Sequence, residues 1–211
     1  MISIDELNTK IKEDICHETI EKLCDAKLMP EYKECDSVKN EITRLSNILG
    51  KYIDDDTRKK IIDEYLPQLI PAGTKGVIRG NKFNKIVKEH IELLNLDKDK
   101  FEVCFEKKCS IHDTTEIPDW YILDKINSKV LIGMNQLDLW SGGHQTNRGS
   151  KYIFNNEHNS SNSKLLCVVC YEIQFKSNKN KAYKIFEKGF ENNTLCYLNN
   201  LNNIINKHFV I

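Results

Sequence analysis

The 211-residue chain is 40% hydrophobic and carries 31 Lys and Arg against 31 Asp and Glu, a formal net charge of zero. That length suits one domain with an appendage or two small domains, with enough apolar residues for a substantial core. No apolar run approaches the length of a membrane span. The start, Met1-Ile-Ser-Ile-Asp-Glu, has neither the basic nor the apolar segment of a signal peptide, so a cytoplasmic location is expected.

Residues 1–70 read as a helical region. Ile4, Leu7, Ile11 and Ile15 recur at helical spacing, as do Val38, Ile42, Leu45 and Leu49, then Ile61, Ile62, Tyr65, Leu66 and Leu69. Pro30 and Gly50 punctuate these helices, and Pro67 falls close to the end of the third. The region holds 16 acids and 11 bases, whereas residues 71–211 hold 15 acids and 20 bases. Composition and charge both change at Pro71-Ala-Gly-Thr-Lys-Gly, which marks a domain boundary.

A helix is expected after Gly80-Asn81, with Phe83, Ile86, Val87, His90, Ile91 and Leu94 forming one apolar stripe. His90 on that stripe reads as a packed histidine rather than a ligand. Phe101 to Glu106 alternates like a strand. Glu116 to Leu123 and Lys129 to Trp140 then read as a β-hairpin folded at Asn127-Ser128. Its polar residues, Asp119 at the start and Gln136 and Asp138 near the end, would lie close together. Oxygen ligands on adjacent strands are what a hard divalent cation needs.

Gln145 to Phe154 reads as a short helix after a Gly-Gly loop, and Asn156 to Ser163 as a polar loop. Leu165 to Phe175 is a continuous apolar run expected to be a buried strand. Thr194 to Phe209 reads as a closing helix with Leu195, Leu198, Leu201, Ile205 and Phe209 inside. Cys167 and Cys170 form a CxxC, but the strand that carries them puts positions three apart on opposite faces. They read as buried thiols. Cys16, His17, Cys24 and Cys35 fit no zinc spacing.

From residue 80 the order is helix, three strands, a short helix and a fourth strand, an α/β sheet with helices packed on it. This order, with Pro118-Asp119 at the start of the second strand, resembles the PD-(D/E)xK nuclease superfamily, and within it the type II restriction endonucleases. The resemblance covers residues 71–211. It implies a restriction-endonuclease-like αβββαβ core, a mixed sheet flanked by helices. The N-terminal helical region, residues 1–70, carries none of the resemblance and could serve as a dimerisation or DNA-clamping subdomain.

The family's E-x-K pair falls at Gln136 and Asp138, 17 and 19 residues after Asp119. Glutamine thus replaces the acid and aspartate the lysine. The resemblance implies Asp119, Gln136 and Asp138 as catalytic residues, with Asp119 and Asp138 holding Mg²⁺. Glu89 and Glu106 are supporting acids, and Asn84 lies where relatives often carry a helix glutamate. Gln145, Asn147 and Arg148 have the chemistry to read bases in the major groove. His144 lies in the same basic loop, and Lys75, Arg79, Lys82 and Lys151 suit phosphates.

The implied activity is sequence-specific cleavage of double-stranded DNA by activated water. A homodimer would suit a palindromic target, and a cognate DNA methyltransferase is the implied companion. A catalytically inactive nucleic-acid-binding module of the same fold, and a helical protein-interaction domain, are the alternatives.

Overall fold

The structure, a computed structural model, describes residues 33–69, 72–109, 117–137, 153, 162–169 and 181–210. In order these form α1 (Asp36–Leu49), α2 (Asp55–Leu69), α3 (Ala72–Glu92), β1 (Phe101–Phe105), β2 (Trp120–Asp124), β3 (Lys129–Gln136), β4 (Ser163–Val169), α4 (Lys181–Glu191), β5 (Leu195–Tyr197), a 3-10 turn (Leu198–Asn200) and α5 (Leu201–Phe209). The protein is mixed α/β. Contacts divide it into two compact units between Lys82 and Phe83, inside α3.

In the first unit α1 and α2 pack as a pair. Val38 and Ile62 are its buried apolar residues among those described. Asp54 starts α2 by accepting from the backbone N–H and hydroxyl of Thr57 at 2.9 and 2.8 Å, which satisfies a free donor of the first turn. Those bonds, the backbone one first, hold its carboxyl below the usual range.

The second unit is built on one five-stranded sheet in the order β1-β2-β3-β4-β5. β1, β2 and β3 are antiparallel, while β3, β4 and β5 run parallel. The β2–β3 hairpin forms where two apolar runs and the turn residues between them place it. Buried Asp124 closes it by accepting from the backbone N–H groups of Ile126 and Asn127 at 2.9 and 3.0 Å and from the Asn127 amide at 2.8 Å. Burial pushes the Asp124 carboxyl up, but the bonds from Asn127 and Ile126, with Lys100, outweigh it and hold it below its ordinary value.

Cross-strand partners share a face, so the register sorts the sheet into two layers. Val130, Ile132 and Met134 of β3 join Leu165, Cys167 and Val169 of β4 in one core, under Tyr183, Ile185 and Phe186 of α4. Trp120, Ile122, Leu131 and Gly133 stand on the other face. There α3 lays its buried residues Phe83, Val87 and Ile91. Lys88 of α3 sits 5.1 Å above the Phe105 ring, and Phe209 of α5 meets the edge of Phe101 at 5.3 Å.

Three expectations are corrected. The helix expected from Thr194 begins only at Leu201, because Leu195 to Tyr197 pairs with Cys167 to Val169 as a fifth strand. All three of its residues are buried, so no alternation marks it, and Leu195, Leu198 and Leu201 imitate helical spacing. Helix α4, which carries the chain from β4 to β5, has no counterpart among the expected elements. Its signal lies in Tyr183, Phe186 and Phe190 at spacings of three and four. Finally, α3 begins at Ala72 rather than after Gly80, its three glycines notwithstanding.

Cys167 is buried, and burial first, then Cys196 and Asp119, push its thiol well above the ordinary value, as suits a structural thiol. His90 is half-buried with Nδ1 donating to the Ile86 carbonyl at 3.1 Å, a packed histidine. Cys16, His17, Cys24, Cys170, Trp140 and the helix expected at 145–154, apart from buried Ile153, lie outside the described residues.

Candidate functional site

Asp119 immediately precedes β2, the middle strand of the antiparallel trio, and Asn135 sits near the end of β3. The last registered pair between these strands at this end is Trp120 with Gly133. Beyond it the carboxylate takes over from the ladder. Asp119 Oδ2 accepts from the backbone N–H of Asn135 at 2.6 Å. The backbone carbonyl of Asp119 accepts from the N–H of Glu106 at 3.0 Å, so the same residue also ties down the end of β1.

Two amides complete a polar cluster. Asn84, on the sheet-facing side of α3, reaches Asp119 Oδ1 with its Nδ2 at a long 3.5 Å. Its Oδ1 accepts from Asn135 Nδ2 at 3.2 Å. Asn135 Oδ1 in turn accepts from the indole N–H of Trp120 at 2.9 Å. Each amide orientation is fixed by the others, because reversing Asn135 would set an amide N–H against the indole N–H. The indole lies over Gly133, where an added Cβ would overlap Trp120 Cε2. Gly133 is therefore what lets Trp120 lie flat enough to reach Asn135.

The register places the expected residues as follows. Gln136 is 8% exposed and pairs with Val169, on the face that α4 covers. Asn135 stands on the α3 face, so the polar residue of β3 that meets Asp119 and Asn84 is Asn135. Glu89 is exposed on α3, and Glu106 is exposed with its backbone at a φ of 52°. Arg79 and Lys82 are half-buried and belong to the unit that ends at Lys82. Lys75 lies in α3, with its side chain outside the description. Asp138, His144, Gln145, Asn147, Arg148 and Lys151 fall outside the described residues.

The sequence reading missed Asn135. Alternation puts Asn135 with Gly133 and Leu131 and not with Gln136, but only the pairing register shows which of the two faces Asp119 shares.

The chemistry of the cluster is that of hard oxygen donors. Asp119 supplies one formal negative charge, and the amide oxygens of Asn84 and Asn135 add none. Asp119 fits a hard divalent cation as its anionic ligand. Both amide oxygens already accept hydrogen bonds, from Asn135 Nδ2 and from Trp120 Nε1, and the group that Asn84 turns toward Asp119 Oδ1 is its N–H donor. No group of three or more His, Cys, Asp or Glu residues gathers among the described residues. The cluster lies at the carboxyl end of the parallel strands β3 and β4, the edge at which open α/β sheets bind ligands.

These features define the class as a mixed α/β protein with a polar cluster at the carboxyl edge of its sheet. Comparison with protein-family models, with curated proteins and with solved structures finds no match. Among the described residues no helix is long and apolar enough to cross a membrane.

Proposed function

We propose that the protein is a Mg²⁺-dependent, sequence-specific endonuclease acting on double-stranded DNA, with the αβββαβ core of the PD-(D/E)xK nucleases. The observation that carries the proposal is the position of Asp119. It opens the middle strand of an antiparallel trio that follows a long helix, and its carboxylate faces the end of the third strand beside that helix. The mixed sheet, antiparallel then parallel, agrees with that core.

In this reading Asp119 is the anionic ligand, Asn84 takes the place of the family's helix glutamate, and Asp138 supplies a second carboxylate. The bound cation would lower the pKa of a water and relieve charge on the scissile phosphate. The chain's own contribution is orientation. Asn135 N–H fixes Asp119 Oδ2, which leaves Oδ1 as the oxygen directed toward Asn84. Trp120 and Asn135 lock Asn84 in turn. A two-fold dimer on a palindromic site, and a companion methyltransferase, belong to the same proposal.

A second reading, a DNA-binding module that does not cut, is favoured by one specific feature. Among the described residues Asp119 is the sole carboxylate in a cluster whose other members are neutral amides, and one of its oxygens is already bonded to backbone. Incubation of the purified chain with long, unmethylated duplex DNA, with Mg²⁺ or with EDTA, separates the two. Discrete fragments that require both Mg²⁺ and Asp119 are expected. Salt-sensitive binding without cleavage would establish the second reading, and neither cleavage nor binding would sink both.

A further inference from the structure

At the opposite end of the sheet, a hollow of about 230 Å³ is lined by Lys129, Lys164, Asn193, Ile204, Lys207 and His208. The register explains why these residues meet. Lys129 pairs with Asp124 and Lys164 pairs with Leu131, so both lysines stand on the face that α5 covers. Lys207 and His208 come from the last turn of α5. Asn193 comes from the turn before β5, held there with a φ of 55°.

Three lysines thus line one hollow, and no ion pair among the described residues involves Lys129, Lys164 or Lys207. The acid paired with Lys129 across the strands, Asp124, is engaged by the hairpin turn and lies 3.9 Å from Lys100. Lys164 is pushed below its ordinary value by burial first and by Lys207. Burial first, then Lys129 and Lys164, push His208 down to about 4, so its ring is neutral at pH 7. Its Nε2 donates to the Val130 carbonyl at 3.1 Å, which holds the ring in the wall.

Keeping like charges together in a half-buried hollow is unfavourable for the protein alone. A bound anion removes the penalty. Three point-charge donors and the Asn193 amide around a small space match a group with at least three acceptor oxygens and two negative charges. A carboxylate offers only two oxygens and one charge. The space is smaller than the roughly 300–1,000 Å³ of pockets for drug-sized ligands, so it suits a single phosphate group and not a whole nucleotide. β3 separates it from Asp119 by roughly 20 Å, at about 3.3 Å per residue.

We infer that this hollow is a second binding site, independent of the proposed nuclease centre, which takes a phosphate carrying two negative charges, either free or at the end of a nucleic acid strand.

The test is titration of the full chain at low ionic strength with sodium phosphate, read by calorimetry and by the imidazole resonance of His208 at fixed pH. That resonance is assigned by its loss in His208→Gln. Saturable binding is expected, weakened about tenfold or more in a Lys129→Gln, Lys207→Gln double variant, since each charge-assisted contact is worth on the order of a tenfold change. Both lysines are polar and outside the core, and a thermal melt matching the parent confirms that the variant is folded. Lys164→Met, which keeps the aliphatic stem and removes one such contact, should weaken binding about tenfold.

Single-stranded oligonucleotides with and without a 5′-phosphate identify the source. Preference for the phosphorylated strand assigns the site to a strand end, and indifference alongside binding of inorganic phosphate assigns it to the free anion. Absence of saturation, or binding unchanged in both lysine variants, overturns the inference. Asp119→Ala should leave phosphate binding unchanged, so failure of the nuclease reading and failure of this one are distinguishable.

Discussion

The carboxylate of Asp119 is tied to the backbone of Asn135 by a 2.6 Å hydrogen bond across the mouth of the β2–β3 hairpin. A single side chain therefore does two things. It extends the ladder past the Trp120–Gly133 pair, and it presents its other oxygen beside Asn84.

Asp119→Asn separates these roles. Replacing the charge-assisted bond by a neutral one should cost about 1–2 kcal/mol of stability, the difference between hydrogen bonds to charged and to neutral acceptors. If Asp119 is the anionic metal ligand, nicking of supercoiled plasmid should fall by more than about 100-fold, because changes to outer-shell partners alone cost roughly 10–100-fold. A lowered urea midpoint with undiminished nicking would leave Asp119 a purely structural residue.

Gly133→Ala should be among the most damaging single substitutions in the sheet. The added Cβ would overlap Cε2 and Nε1 of Trp120, and the indole is fully buried. Overpacking of this kind costs about 1–3 kcal/mol and sometimes more; the upper end is expected here, because displacing the ring also breaks its bond to Asn135. Urea denaturation of Gly133→Ala, Trp120→Leu and the double variant should show strong non-additivity, since both changes act on one contact. Additive losses would mean that the ring finds another position.

The contrast between these strands and the C-terminal part of the chain explains what the sequence could reveal. The β2–β3 hairpin was legible because two apolar runs flank turn residues between Trp120 and Gln136. Helix α3 was legible from its apolar stripe, because Phe83, Val87 and Ile91 face one sheet. β5 was not, since three residues buried on both faces carry no period and their leucines continue a helical spacing into α5. In the candidate site, Asp119 and Asn84 were visible as residues with a place in a motif. Asn135 was hidden, because the motif spacing selects Gln136 and only the pairing register decides which face each one takes.

His208 gives the protein an acid-side instability. Its folded-state pKa of about 4 lies below the ordinary value of 6.5, so the unfolded chain binds the proton more readily between those limits. Stability is therefore full above about pH 6.5 and is lost progressively as pH falls toward 4. The contribution is at most about 3 kcal/mol at roughly 1.36 kcal/mol per unit, less what solvent screening removes. In His208→Gln the urea midpoint should vary less across that window. An unchanged pH dependence would show that His208 titrates normally in the folded protein.

Asn84→Asp tests the cation site by adding the charge it lacks. Asn84 Nδ2 lies 3.5 Å from Asp119 Oδ1, so the variant sets two carboxylates side by side. Without a cation their repulsion should raise the pKa of the pair and lower the melting temperature. With Mg²⁺ or Ca²⁺ the same two groups become a stronger ligand set, and binding to the folded state alone restores stability in proportion to the logarithm of cation concentration. The variant should therefore melt below the parent in EDTA and recover as cation is added, with an apparent affinity about tenfold tighter than that of the parent. If neither protein responds to the cation, the cluster of Asn84, Asp119 and Asn135 holds the sheet edge together and does no metal chemistry.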